Sequence, residues 1–328
     1  MSKPSDDANI YQPVPIEEFL SRPQVLVDTY IKLAQNKFIL IAKGGQNTPA
    51  DSLEKHKSRN LDCLYIRVED YQRLLLATIQ GAVAVAGDKR MPINTRATVV
   101  QDAMKAVYQE IADLGFNDQV YSHARLVNHA TLTMLKDQTM GDMLEKFGMF
   151  SREGMAHSMM VSMVSVMLGM KHEWVKPATL EKLGMGGFLH DVGKSKLPPQ
   201  IASMQYERMN RDEKVIYHSH CEVGFQLLAQ TKSVPEDVLL IVAQHHERAD
   251  GTGFPKGIKD FAISPLARVV SLANAFVERI ADEGKPLSGD AAFRVFEEFR
   301  VHRGPHFNKE ALRALGKCLD LKTQQAAG

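Results

Sequence analysis

The sequence predicts a mainly α-helical protein in two parts: a small N-terminal α/β unit that runs on into helices, and a C-terminal domain that is helical throughout. Three observations predict this. Two short apolar runs near the start have strand character, apolar residues recur three and four apart over most of the rest, and helix-start signals repeat down the second half. Phe38-Ile-Leu-Ile-Ala reads as a short buried strand, Gly44-Gly45 as a turn, and Leu61 to Val68 as a second strand. From Asp70 to Gln138 the pattern is helical, with Val100, Met104, Val107 and Ile111 among its apolar positions and Gly115 as a C-cap. Ser151 reads as an N-cap, Pro177 and Ser264-Pro265 open helices, Asn210 with Glu213 resembles a capping box, and Pro235 precedes an acidic first turn. The domain boundary is placed near residue 148, giving parts 1–147 and 148–328.

Composition narrows the function. The 328 residues, 44% apolar and 24% charged, suffice for two cores and exclude disordered and fibrous classes. Forty basic residues against 39 acidic ones leave a net charge of +1, so there is no broad basic field for a nucleic-acid polymer or an anionic membrane. Any phosphate binding must be local. Cys63, Cys221 and Cys318 are too few and too scattered for a disulfide framework or a thiolate zinc site, which fits a reducing cytoplasm. The runs Leu74 to Ala86 and Met159 to Met170 are interrupted and too short to span a bilayer. A cytoplasmic protein without membrane insertion or organic cofactor is expected.

Twelve histidines are the conspicuous feature, and seven of them fall between residues 157 and 246. Which helical face each occupies decides what it can do, because side chains three and four apart share a face. His157 shares a stripe with Val161, Val164 and Leu168, and Glu153 lies one turn earlier on it. Leu180, Leu183 and Gly187 lead to the His190-Asp191 doublet, so that doublet ends an apolar stripe. His245 follows Ile241 and His246 follows Val242 at four residues, and Asn274 follows Val270 in the same way. His218 and His220 stand about 200° apart around a helix. His220 is favoured, because Gly224 one turn on lets another element approach closely.

Taken singly, each of these has a plain structural explanation. A lone inward histidine is more often a hydrogen-bonded core residue than a ligand, Lys194 alone is a helix-end lysine, and Asp250-Gly-Thr-Gly a turn. Taken together, His157, His190, Asp191, His220, His245 and His246 deliver imidazole and carboxylate inward from four helices. Uncompensated burial would cost several kcal/mol each, roughly, and a shared metal ion offsets it. His56, His123, His129, His172, His302 and His306 lack such a setting and read as surface or core residues.

His190-Asp-Val-Gly-Lys194, Leu197-Pro-Pro-Gln-Ile201, His220-Cys-Glu-Val-Gly224 and His245-His-Glu-Arg-Ala-Asp-Gly-Thr-Gly-Phe-Pro-Lys-Gly257 together resemble, in order, the HD-GYP family. Its members are HD-domain metal-dependent phosphohydrolases that cleave cyclic di-GMP. The resemblance covers residues 150 to 285 and implies an all-α HD-domain bundle there, with an N-terminal input domain before it. It implies metal ligation by His157, His190, Asp191, His220, His245 and His246, with Asp191 bridging two ions, most often iron or manganese. Glu153 matches a glutamate that adds a ligand in some members, so two or three metals are open. Lys194 would neutralise charge on the phosphate or leaving oxygen. Arg248, Asp250, Gly251, Gly253, Phe254 and Pro255 match a loop beside the site that contacts substrate or a signalling partner.

Three positions depart from the family pattern. Phe254 stands for the tyrosine, Asn274 for a ligating aspartate, and Lys285-Pro286-Leu287, shifted in register, for an Arg-Pro-Tyr. The expected function is a bimetallic cyclic di-GMP phosphodiesterase yielding linear pGpG, GMP or both, under N-terminal regulation. The departures leave two alternatives: a metal-binding effector with little or no turnover, or an HD-type phosphohydrolase acting on another nucleotide.

Overall fold

A computed structural model describes residues 10–20, 24–34, 37–58, 61–136, 138–147, 154–283 and 288–319. The chain divides into two compact units, Met1–Gly81 and Ala82–Gly328.

The first unit holds β1 (Tyr11–Pro15), α1 (Ile16–Leu20), β2 (Thr29–Ala34), β3 (Lys37–Ala42), α2 (Ala50–Lys57), β4 (Cys63–Arg67) and the start of α3 (Val68–Ala86). Its strands form one antiparallel sheet in the order β1-β4-β2-β3. Alternation sends Val14, Ile31, Leu64 and Ile66 to one face, where they meet Ile16, Phe19 and Leu53 in the unit's core. Tyr11, Tyr30, Phe38 and Tyr65 cluster through ring contacts, with Tyr11 stacked on Phe38 at 4.0 Å. The run Phe38 to Ala42 forms a strand where the sequence predicts one, but that strand is not buried. It is the edge strand β3, with Ile39 43% and Leu40 38% exposed, because it has a neighbour on one side only and the core is centred on β4 and β2. An unbroken apolar run conceals which face of an edge strand is covered.

The second unit takes the end of α3 and then α4 (Ile93–Leu114), α5 (Asp118–Leu135), α6 (Met140–Phe147), α7 (Gly154–Gly169), α8 (Pro177–Leu189), α9 (Pro199–Ala202), α10 (Arg211–Ala229), α11 (Glu236–Gln244), α12 (Pro265–Ile280), α13 (Gly289–His302) and α14 (Lys309–Cys318). Compactness therefore groups α4 to α6 with the helices that carry the histidine motifs. The change near residue 148 marks instead where those motifs begin. Among the described residues no helix is long and apolar enough to cross a membrane.

Local signals place these helices. Gly115, at φ 77°, ends α4. Pro177 and Pro265 sit in the first turns of α8 and α12, where a missing N–H costs nothing. Asn210 and Glu213 close a reciprocal capping box on α10, each side chain accepting from the other's backbone N–H at 3.0 and 2.8 Å. Ser151 lies outside the described residues.

Helix α7 is the centre of this unit, buried from His157 to Leu168, with α8, α12, α14, α4 and α5 packed around it. The α7–α8 contact is closest at Gly187, where a Cβ would lie 2.7 Å from the Ser162 Cα. Ser162 Oγ donates to the Gly184 carbonyl at 2.8 Å and pins the crossing. Gly187→Ala is expected to force the helices apart. Overpacking of about 3 kcal/mol, less about 1 kcal/mol of regained helix propensity, leaves a net loss of about 2 kcal/mol. Calorimetry of the variant reads this as a lowered melting temperature, and an unchanged one would show the crossing to be loose.

Candidate metal centre

Five elements deliver the predicted residues to one place. Helix α7 brings His157, the end of α8 His190 with Asp191 immediately beyond, the middle of α10 His220, the end of α11 His245 with His246 beyond, and α12 Asn274. His190 and His220 are 0% exposed, His245 1%, Asn274 2% and His157 7%. Their donor atoms fall into two groups, each with all atoms within 4.8 Å of one another: Asp191 with His220, His245 and His246, and Asp191 with His157 and His190. Asp191 belongs to both. Glu153 lies outside the described residues.

Helix geometry aims the rings. His190, His220 and His245 each place Nδ1 against a carbonyl three residues earlier, those of Gly187, Tyr217 and Val242, at 2.8, 2.6 and 2.9 Å. A carbonyl only accepts, so Nδ1 carries the proton and Nε2 of the neutral ring presents a bare lone pair. Nε2 of His220 and Nε2 of His245 then face each other at 3.2 Å. Neither can donate to the other, so the arrangement calls for a cation between them. Nε2 of His190, Nε2 of His246 and Oδ1 of Asp191 are buried without a hydrogen-bond partner among the described residues. Asp191 Oδ1 lies 3.4 Å from His220 Nε2 and 3.7 Å from His245 Nε2, and Oδ2 lies 3.2 Å from His190 Nε2. Such spacings suit donors sharing an ion, and the imidazole and carboxylate set fits iron, manganese or zinc.

The protonation states agree. Burial pushes His157 and His220 down to about 3, and it also lowers His245 and His246, with neighbouring histidines adding to the effect. Burial alone would raise Asp191, but its charged surroundings, the Lys194 ammonium among them, outweigh it and hold the carboxyl well below the usual carboxylate range. Lys194 Nζ lies 2.7 Å from Asp191 Oδ2 and 5.0 Å from the centroid of the Tyr217 ring. Burial works against its charge, yet Asp191 and Tyr217 raise it above an ordinary lysine. It is a paired cation of the site rather than a solvated helix end.

Glycines let the backbones close. A Cβ on Gly193 would stand 2.0 Å from the His220 carbonyl oxygen and 2.6 Å from the Gly224 nitrogen, so α10 meets the turn after the doublet through two glycines. This is the approach that Gly224 predicts, and His220, not His218, enters the ligand groups.

The glycine-rich loop lies against His246. Phe254 stacks on His246 at 4.4 Å and on His218 at 3.8 Å, and His218 Nε2 is hydrogen bonded to the Tyr206 hydroxyl at 2.8 Å. The ring of Phe254 is thus part of the wall even without a hydroxyl. Asp250 Oδ1 accepts from Thr252 N and Oγ1 at 3.0 and 2.7 Å, Gly251 takes φ 83°, and a Cβ on Gly253 would stand 2.4 Å from the Arg248 nitrogen. Arg248 and Pro255 are exposed. Lys285 lies outside the described residues.

Several contributors escape the sequence reading. Glu247, 1% exposed, accepts from the Lys256 and Ile258 backbone N–H groups at 2.8 and 3.0 Å and so ties the loop to the His245-His246 pair. Tyr217 lies under Lys194. Tyr108 of α4 donates its hydroxyl proton to the Phe188 carbonyl, two residues before His190. Glu278 accepts from Asn274 Nδ2 at 3.2 Å. Tyr108 acts across a long separation in sequence, whereas Glu278 sits one turn from Asn274 and Glu247 directly follows the histidine pair, without a motif that marks either role.

Comparison with known proteins agrees with this geometry. The family model described as HD domain matches residues 134–298, about half of the chain. Cyclic di-GMP phosphodiesterase PA4108 of Pseudomonas aeruginosa is 28% identical over 162 residues, 49% of this chain and 39% of that one. The cyclic di-GMP phosphodiesterase response regulator RpfG of Xanthomonas campestris is 32% identical over 125 residues, 38% of this chain and 31% of that one. The chain thus spans well under half the length of these curated relatives. Among solved structures, Bd1817, an HDG"Y"P protein of Bdellovibrio bacteriovorus, superposes with a TM-score of 0.69 at 22% identity, over 94% of this chain and 99% of that one. It shares the fold. The chain belongs to the HD-domain family.

Two expectations follow. Asp191→Asn, which weakens the one donor common to both groups, is expected to lower the divalent metal bound per chain, as read by elemental analysis; an unchanged metal content would remove Asp191 from its shared place. The second concerns acid. A free imidazole titrates near 6.5, roughly, whereas folded His157 and His220 do so near 3, so between these values the unfolded chain takes up protons that the folded chain refuses. Stability of the metal-stripped protein is therefore expected to fall as pH drops through that window, by up to about 1.4 kcal/mol per pH unit for each histidine. Urea unfolding at pH 4, 5, 6 and 7 measures it; a flat profile would mean that the imidazoles are charged or solvated.

Proposed function

We propose that the centre hydrolyses a phosphodiester bond of cyclic di-GMP, giving linear pGpG, GMP or both, with two divalent ions, iron or manganese, held on either side of Asp191. The observation that carries this reading is the shared carboxylate: Asp191 joins a three-histidine group to a two-histidine group. Glu153 is the further ligand if a third ion binds. Ions so held would lower the pKa of a bound water and draw charge from a phosphodiester oxygen.

The chain's own residues prepare that chemistry. His157, His190, His220, His245 and His246 hold neutral nitrogens toward the ions, and Asn274 adds a neutral oxygen. Asp191 stays ionised, so the bridge keeps its charge. Lys194 remains an ammonium beside Asp191 and can neutralise charge on a phosphoryl or leaving oxygen. Phe254 covers His246 and shields the ligand from solvent. Arg248 and Asp250, at the rim, face substrate, and Lys285 is assigned to the same role. Loop residues Pro255, Lys256 and Gly257 are exposed and form the surface for a signalling partner. Residues 1–147 supply regulation, and a nucleotide substrate places the protein in the cytoplasm.

A second reading is an effector that binds cyclic di-GMP on its metals and turns it over little. Phe254 and Asn274 favour it, since one removes a hydroxyl and the other a ligand charge. Anaerobically prepared protein carrying Fe(II) or Mn(II) is expected to convert cyclic di-GMP to linear product on chromatography, with Lys194→Ala at least tenfold slower. Binding by calorimetry without product would select the effector, and turnover of a different cyclic dinucleotide alone would replace the substrate.

A further inference from the structure

Asn274 is the ligand candidate least suited to its place, because an amide oxygen is a neutral and weak donor and an amide can turn its NH2 group inward instead. The structure shows what prevents this. Asn274 Nδ2 donates to Glu278 Oε1 at 3.2 Å, one helical turn along α12. A carboxylate offers no proton, so only the NH2 side of the amide can face it. Asn274 Oδ1 is thereby turned toward His157 Nε2, with which it shares a hydrogen bond of 2.8 Å, so the oxygen points to the His157, His190 and Asp191 group. Glu278 itself is exposed and within electrostatic reach of Lys194, Asp191 and His190. It does not join either group of donor atoms.

We propose that Glu278 is a positioning residue: it locks the Asn274 amide with its oxygen toward the His157, His190 and Asp191 group and, by accepting from the NH2, makes that oxygen a stronger donor. The pair Asn274 and Glu278 then does jointly what a single aspartate would do, with the charge set one turn away from the ion. This rests on the metal-centre reading above. Nothing in the sequence motifs marks Glu278.

Mn(II) titration of the full chain by calorimetry and paramagnetic resonance, beside melting of the metal-free protein, tests it. The wild-type chain is expected to bind two ions. Glu278→Leu, which removes the acceptor, should weaken the second ion at least tenfold, leave the first unchanged and leave the metal-free melting temperature unchanged. Glu278→Gln, which keeps an acceptor without charge, should lose less. In an Asn274→Ala background Glu278→Leu should add no further loss. Second-ion affinity in Glu278→Leu within twofold of wild type would overturn the proposal while the metal centre stands. A further loss in the Asn274→Ala background would overturn it too, by showing that Glu278 acts directly. Wild-type protein binding fewer than two ions would bring down the metal-centre reading and this proposal with it.

Discussion

The structure of the site depends on one constraint: three buried imidazoles use their outer nitrogen on a carbonyl of their own chain three residues back. That bond fixes the tautomer, and the tautomer fixes which nitrogen faces inward. Lone pairs brought to 3.2 Å of each other and a buried carboxylate oxygen with no donor among the described residues are then unfavourable until a cation sits among them. Metal binding is in this sense built into the ends of α8 and α11 and the middle of α10. Burial also lowers the pKa of His157, His220, His245 and His246 and keeps those ligands ready at neutral pH.

Packing serves that constraint. Helix α7 is buried on all sides, so His157 reaches the centre only because α8 crosses close at Gly187 and α12 lies over it. The contact of Gly193 with Gly224 brings His220 against the turn that carries Asp191 and Lys194. Glu247 ties the glycine-rich loop to the His245-His246 pair through two backbone N–H groups, and Phe254 returns from that loop to stack on His246. A change in the loop is therefore a change at a ligand.

Much of this was legible in the sequence, for physical reasons. Helical faces repeat every three or four residues, so the inward direction of His157, His190, His245, His246 and Asn274 could be read from their apolar neighbours. Capping chemistry is local, so Gly115, Pro177, Asn210 with Glu213, and Pro265 marked helix ends correctly. Exposure of β3 was not legible, because an apolar run does not say which strand is at the edge. Neither were Tyr108, Tyr217 and Glu278, whose roles exist only where separate elements meet or where a partner such as Asn274 is already in place.

Anomalous X-ray scattering from crystals of manganese- or iron-loaded protein tests the central claim most directly. The account predicts two peaks about 3.5 to 4 Å apart, one on the side of His220, His245 and His246 and one on the side of His157 and His190, with Asp191 between them. A single peak, or metal bound away from Asp191, would contradict it.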